Sequence, residues 1–497
     1  MRSRQGRIVV AWLAAVLYLS FCSYLTPSVA LAGGDGGCPR GGCGCGSSCG
    51  CLYFCGCGTG TEEPVYEGPA WTAGGSKPQL QGFDSLNVQL LSWFPVTTFD
   101  AAFTSANTCE GYVSKSGREY AIIGLSGGTG FVEVTDPANA QIVTVVPDCA
   151  SCAASSWRDI KVYDQYAYVV SEATNTGLEV YDLSQIDDGI VTFVTRVNTP
   201  GSSRTHTLEI NQASGYAYRC GGGSTLGLRI YSLANPAAPA FVTTAVSGRY
   251  FHECQAVTYT SGPYAGKEIV FGFTENSSSG GAAGLTILDV TDKQNIITLT
   301  ANYQYNGPSF SHQGWVSEDK QYLYLNDETD GNPATRIISI SNLSAPVQVG
   351  SFSSGLPAVD HNLYVKGRYI FESNYRSGLR IFDAINPTAP IHVAFFDTYD
   401  ANDNAGFNGL WDNYPFLPSG IVLGSDIERG LFIWCFGKAG DMNNDLRVDD
   451  EDVNLFVDAM LNNPVSTSQC SGPDLNGDGE VNGLDVEGFK TAYVAGP

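Results

Sequence analysis

Four of the chain's five histidines, His206, His252, His312 and His361, each open a short alternating apolar segment, and Arg158 and Asn408 open two more of the same kind. Asp159 and Glu253 stand directly after Arg158 and His252. Imidazole is the commonest side-chain ligand for borderline metals, and a carboxylate completes such sets or serves as a general base. If these segment starts converge, the chemistry they point to is Zn²⁺, Fe²⁺ or another transition metal at a shared channel mouth, with Asp159 or Glu253 as carboxylate ligand or base. The competing role is structural, each imidazole hydrogen-bonding its neighbouring unit. Both remain open, and no residue is assigned a catalytic role.

A second constellation lies at the C-terminal end. Asp441, Asn443, Asp445, Arg447, Asp449 and Asp452 fall at positions 1, 3, 5, 7, 9 and 12 of a calcium loop, and Asp474, Asn476, Asp478, Glu480, Asn482 and Asp485 repeat that spacing 33 residues later. Oxygen ligands at alternating positions, with position 7 giving its backbone carbonyl, suit a six- or seven-coordinate Ca²⁺. Two Ca²⁺ sites are therefore expected. The second has Gly479 at position 6, where the chain turns sharply; the first has Leu446 there, which accepts a positive φ badly, so weaker binding is expected at the first. A helix is predicted after each loop, over 453–461 and 486–494. In the absence of Ca²⁺ carboxylates this dense repel one another, so the ion should mainly fold the module.

What must position the histidines is a repeated phrase. GLRIFD from Gly378 recurs as GTGFVEVTDP from Gly128, GLEVYDL from Gly177, GLRIYSLANP from Gly227, GLTILDVTD from Gly284, TRIISISNLSAP from Thr335 and GLFIWCF from Gly430, at intervals of 43 to 57 residues. A glycine turn, an alternating strand and a break, repeated seven times, predict units that bury their faces only against one another. The expected fold is all-β, a seven-bladed β-propeller over 82–437, with a small α-helical calcium-binding domain over 438–497. The apolar segment LNVQLLSWFPV from Leu86 has no blade of its own, and the last phrase lacks a following strand. Closure of the last blade by this N-terminal strand uses both loose ends and removes an open edge. In such a ring the first strand of each blade lines the channel, which brings the histidines to one mouth. Trp157, Trp315 and Trp411 near that end either stack on sugars or pack between blades.

Composition narrows the partners. The chain has 497 residues, 26 Lys+Arg against 50 Asp+Glu, a net charge of -24 and a pI near 4.4, which excludes a nucleic-acid footprint. Arg2, Arg4 and Arg7 before the apolar run from Ile8 to Leu25, then Ala30-Leu31-Ala32, predict a secretory signal peptide over 1–32, a mature chain without a membrane span, and an extracellular or cell-surface bacterial protein. Residues 33–81 read as a Gly/Cys-rich segment and linker in which Cys38, Cys43, Cys45, Cys49, Cys51, Cys55 and Cys57 stand close together, open to disulfides or soft metals. Cys149 and Cys152, and Cys220 and Cys254 in adjacent units, are further disulfide candidates.

The stretches SSWRDIKVYDQYAYVVSEA from Ser155, SFSHQGWVSEDKQYLYLNDE from Ser309, VDHNLYVKGRYIFESNYRSGLRIFD from Val359 and FNGLWDNYPFLPSGIVLGSDIERGLF from Phe407 resemble the choice-of-anchor B family. That resemblance implies an exported β-propeller of LVIVD-type repeats held at the cell surface by a C-terminal device. Residues 441–494, with their loop-helix duplication, resemble a type I dockerin, which implies a cohesin or other surface protein as partner. At loop positions 10 and 11, Asp450-Glu451 and Gly483-Leu484 depart from the Ser/Thr pairs of cellulosomal dockerins. Two functions follow as expectations: a binding or scaffolding module tethered by that tail, or a metal-dependent hydrolase or lyase acting on polysaccharide or another extracellular polymer.

Overall fold

A computed structural model describes residues 71–72, 83–149, 151–152, 155–198, 203–222, 226–275, 282–438, 440–443, 446–462, 475 and 481–495. The predicted signal peptide, the clustered cysteines and the loop residues Asp445, Asp474, Asn476, Asp478 and Glu480 lie outside them.

Seven antiparallel sheets of four or five strands form a seven-bladed propeller. Blades 1 to 6 begin with Ala106–Val113, Arg158–Tyr163, Thr207–Asn211, Glu253–Thr258, Ser311–Val316 and Asn362–Lys366, and each runs on through three strands in sequence order. Leu410–Tyr414, Ile421–Asp426 and Gly430–Phe436 build the inner part of blade 7. The repeated phrase is the third strand every time, and its glycine answers a local demand. Gly378 and Gly430 sit at φ 72° and 89°, and a Cβ there would fall 2.3 Å from the carbonyl oxygens of Phe396 and Phe94 in the adjoining outer strand. Only glycine permits that turn and that approach together.

The N-terminal strand Val88–Phe94 pairs antiparallel with Gly430–Phe436 and becomes the fourth strand of blade 7, with the short strand Trp71–Thr72 on its far edge. The ring is thus closed by residues more than three hundred positions apart. Trp93 locks the closure. It is 2% exposed, stacks on Phe432 with ring centroids 5.4 Å apart, and donates its indole N–H to the Arg429 carbonyl at 2.7 Å.

Seven apolar clusters occupy the seven blade interfaces, as in the packing of Tyr120, Ile122 and Phe131 of blade 1 on Ile160, Ala167 and Val169 of blade 2. No blade has a core of its own, which is why a single copy of the phrase would not fold alone. Helices Asp450–Asn462 and Val486–Ala495 begin where the two predicted calcium loops end and pack through Phe456 on Phe489, stacked at 4.4 Å. Among the described residues no helix is long and apolar enough to cross a membrane.

Candidate functional site

The first strands line the channel, and the residues at their starts meet at its mouth. His206, His252, His312 and His361, from blades 3 to 6, form a continuous arc with neighbouring ring centroids 4.3, 4.3 and 4.2 Å apart. His312 is the bulged residue of its strand, where the register slips between Ser311 and Gln313, and Trp411 is the bulged residue of blade 7 between Leu410 and Asp412. A bulge of this kind re-aims a side chain that regular pleating would direct elsewhere.

Three of the four imidazoles, those of His206, His252 and His361, use one nitrogen to hold the ring together. Nδ1 of His252 donates to the His312 carbonyl at 3.1 Å, and Nδ1 of His361 to the Trp411 carbonyl at 2.7 Å, in each case one blade onward. In blade 3 Thr207 makes the equivalent link, donating to the His252 carbonyl at 2.7 Å, and Nδ1 of His206 pairs with Glu172 at 2.7 Å instead. A nitrogen that donates to a carbonyl carries the proton, so Nε2 of His252 and His361 keeps its lone pair. Blade locking and ligand binding are therefore not exclusive: they use opposite edges of the same ring. Burial lowers the pKa of His252, His312 and His361, the last to about 3, which keeps all three imidazoles neutral.

Above the arc opens a bowl of about 570 Å³. Its wall carries Trp157, Tyr250, Phe310, Tyr375, Phe407 and Trp411 together with the carboxylates Glu172, Glu275 and Glu328. Trp157 and Phe407 are 49% and 56% exposed, a large apolar face to leave in water. The carboxylates share a repeat position, the residue immediately after the second strand of blades 2, 4 and 5. Nothing in the repeated phrase marks them; the signal was the recurring Glu in VVSEA, FGFTEN and YLNDE.

Below the arc the channel narrows to a space of about 20 Å³, room for roughly one water. Asp159 and Glu253 line it, with Lys161, Thr108 and Asp412. Lys161 reaches Asp159 at 3.0 Å and Glu110 at 3.9 Å. Burial alone would lower its pKa, yet Asp159, Glu110, Asp412 and Glu253 hold it well above the ordinary value. Burial also raises Glu110 to about 8, Glu209 to about 7 and Asp412 to about 6. Asp159 further accepts the Leu208 backbone N–H at 2.7 Å, so it belongs to the structural lining and not to the bowl.

The structure thus gathers Arg158, Asp159, His206, His252, Glu253, His312 and His361 around the channel and leaves Asn408 out. Asn408 lies off the mouth, where it accepts from Arg376 at 2.5 Å and donates to Glu428 at 2.7 Å. The blade 7 residue that answers to the histidines is Trp411, shifted by the bulge. Arg158 is committed to the Leu125 carbonyl and to an ion pair with Asp148. Trp315 turns away from the bowl and packs on Tyr364 and Phe416. Cys149 and Cys152 are joined by a disulfide, whereas Cys220 and Cys254 remain buried thiols with sulfurs 3.5 Å apart.

In the C-terminal loops the two position-12 aspartates are fully buried and hold their loops the same way. Asp452 accepts from the backbone of Met442 at 2.7 Å and Asp449 at 2.8 Å; Asp485 accepts from Leu475 and Asn482, each at 2.8 Å. Leu446 does adopt the left-handed conformation its loop position requires, at φ 68°.

The family model for the type I dockerin domain matches residues 439–491, and that for the LVIVD repeat matches residues 155–186 and 315–354. The chain carries LVIVD repeats on a seven-bladed propeller and a type I dockerin domain. Type I dockerin domains generally bind calcium and typically bind cohesins, and this one points to a secreted or cell-surface protein. No curated protein matches the chain. Similar solved structures include a protein from Lactobacillus plantarum, 14% identical over 65% of this chain and 89% of that one, TM-score 0.46. A functionally unknown protein from Desulfotomaculum acetoxidans DSM 771 is 13% identical over 60% and 90%, TM-score 0.43. The periplasmic gluconolactonase of Pseudomonas aeruginosa is 12% identical over 65% and 89%, TM-score 0.47.

Proposed function

We propose that this chain is an exported binding module: the leader 1–32 directs secretion, the propeller presents the histidine-floored bowl to an extracellular polysaccharide, and the dockerin domain docks the module on a cohesin or other surface protein. The observation that carries this reading is the bowl itself. Exposed Trp157 and Phe407 offer faces for sugar rings, and Glu172, Glu275 and Glu328 offer acceptors for hydroxyl groups. A net charge of -24 disfavours anionic polymers, so a neutral one is expected. The test is retention on immobilised neutral polysaccharides. The full chain should be retained, Trp157→Ala should elute earlier, and equal elution of the two would sink the bowl as the binding surface. Capture by a cohesin should require calcium.

A second reading, a metal-dependent hydrolase or lyase on the same polymer, is favoured by one observation, the clustering of neutral imidazoles with carboxylates on the bowl floor. Product release from the retained polymer, abolished by a chelator and restored by a transition metal, would support it; release unaffected by the chelator would remove it.

A further inference from the structure

Two imidazoles and a carboxylate from three separate stretches of chain converge on the bowl floor. His312 and His361 start the first strands of blades 5 and 6, and Glu328 follows the second strand of blade 5. Their ligand atoms lie within 4.8 Å of one another. One oxygen of Glu328 stands 3.9 Å from Nε2 of His312 and the other 3.9 Å from Nε2 of His361. These contacts are too long for hydrogen bonds. They are close to the edges of a coordination shell, since bonds of about 2.1 Å in a tetrahedron put ligand atoms about 3.4 Å apart.

The surroundings prepare the same three atoms. The Trp411 carbonyl takes the Nδ1 proton of His361, which turns Nε2 toward Glu328 as a lone pair. Tyr375 donates to Glu328 at 2.7 Å and fixes the carboxylate. Glu328 is 13% exposed at its side chain, and among the described residues no lysine or arginine pairs with it. A carboxylate so placed between neutral imidazoles has the surroundings of one awaiting a cation.

His252, Glu253 and His312 also lie within 4.8 Å of one another. Glu253, however, faces the narrow channel, where the Lys161 ammonium already supplies a cation and about 20 Å³ leaves no room for a ligand beside a metal. Glu328 faces the 570 Å³ bowl.

We propose that His312, Glu328 and His361 bind a borderline first-row divalent metal, of the class of Zn²⁺, Fe²⁺ or Co²⁺, with its remaining coordination positions open to the bowl. Two imidazole nitrogens with one carboxylate oxygen is a donor set these ions take while keeping positions free for water or substrate. The inference rests on the mouth being the functional surface.

The experiment is a Co²⁺ titration of the full chain in saturating Ca²⁺, read by visible absorption and by metal-to-protein ratio. One tightly held Co²⁺ is expected, with affinity falling on the order of 100-fold in Glu328→Gln and unchanged in Glu253→Gln. His361→Ala should lose it too, but that change also cuts a link between blades; Glu328→Gln does not, and its thermal transition should match the wild type. Absence of stoichiometric Co²⁺, or binding lost in Glu253→Gln and kept in Glu328→Gln, overturns the assignment. Polysaccharide retention by a chain that takes up no Co²⁺ would remove the metal and leave the mouth a binding surface; loss of both would remove the mouth as well.

Discussion

The propeller mouth draws its groups from blades 2 to 7, whereas each predicted calcium loop places its oxygen donors within twelve consecutive residues. The difference decides what holds each region together. At the mouth, backbone hydrogen bonds and seven apolar interfaces exist without any ion, so side chains are pre-positioned by the scaffold. In the tail the small cluster around Val448, Phe456 and Phe489 is too slight to hold two helices against a dense set of carboxylates. One region should bind because it is folded; the other should fold because it binds.

Calcium removal is the sharpest way to break that comparison. Chelation should abolish the dockerin transition in a thermal scan and the helical signal of Asp450–Asn462 and Val486–Ala495, while the propeller transition stays in place. A propeller that melts earlier in chelator, or tail helices that persist in it, would show that the two do not differ as argued.

The next largest effect should come from the closure. Trp93→Ala removes a fully buried indole, its stack on Phe432 and its bond to Arg429, and should cost about 3–5 kcal/mol of propeller stability. Calcium affinity of the second loop should not change, whereas the first is coupled through Leu446, which packs on the same apolar cluster as Trp93. Denaturant unfolding followed in parallel with calcium titration checks both, and a loss at the second loop would argue that the regions are one folding unit.

The same contrast explains what could be read from the sequence. The third strands, the closing strand and the dockerin domain were legible because each is a contiguous pattern with fixed internal spacing. His206, His252, His312 and His361 were legible because they repeat at one strand position. Glu328 was not: its partners are neighbours only after blades 5 and 6 pack. Asn408 opens the blade 7 segment in the sequence, but a bulge shifts the mouth position to Trp411, and bulges leave no mark in an alternating pattern of this length. Trp315 shares the strand with His312 and still points elsewhere, since side chains along one strand diverge.

pH should move one region and leave the other in place. Burial raises the pKa of Glu110 to about 8 and Glu209 to about 7, so the folded propeller holds protons that the unfolded chain has released. Their contribution to stability is full below about pH 4.5 and is lost as pH rises through 8. The imidazoles run the other way, because His361 is held at about 3 and the unfolded chain takes up the proton first near 6.5; that gain is complete by neutral pH. Between pH 6.5 and 8 only the carboxyl contribution remains, and the propeller transition should fall. Glu110→Gln should flatten the slope. The calcium-loaded tail, whose ligand carboxylates must be ionised, should show no such loss over that range. Parallel shifts of both transitions would count against the assignment.

The smallest effect separates the two calcium loops from each other. Leu446 holds φ 68° at the turn of the first loop while its N–H donates to Asp441 at 2.7 Å, so the bond that anchors the position-1 ligand depends on a backbone conformation leucine disfavours. Asparagine enters the left-handed region more readily than leucine. Leu446→Asn should therefore relieve about 1 kcal/mol of strain and tighten the weaker calcium site roughly fivefold, less whatever the half-buried leucine contributes by packing against the apolar cluster at blades 6 and 7. Calorimetric titration should show the two steps drawing together. If the weaker step stays where it is, or the stronger one moves, then the inequality between the loops has its origin outside the position-6 turn, and the backbone argument for the first loop fails while the ligand spacing that identifies both loops still stands.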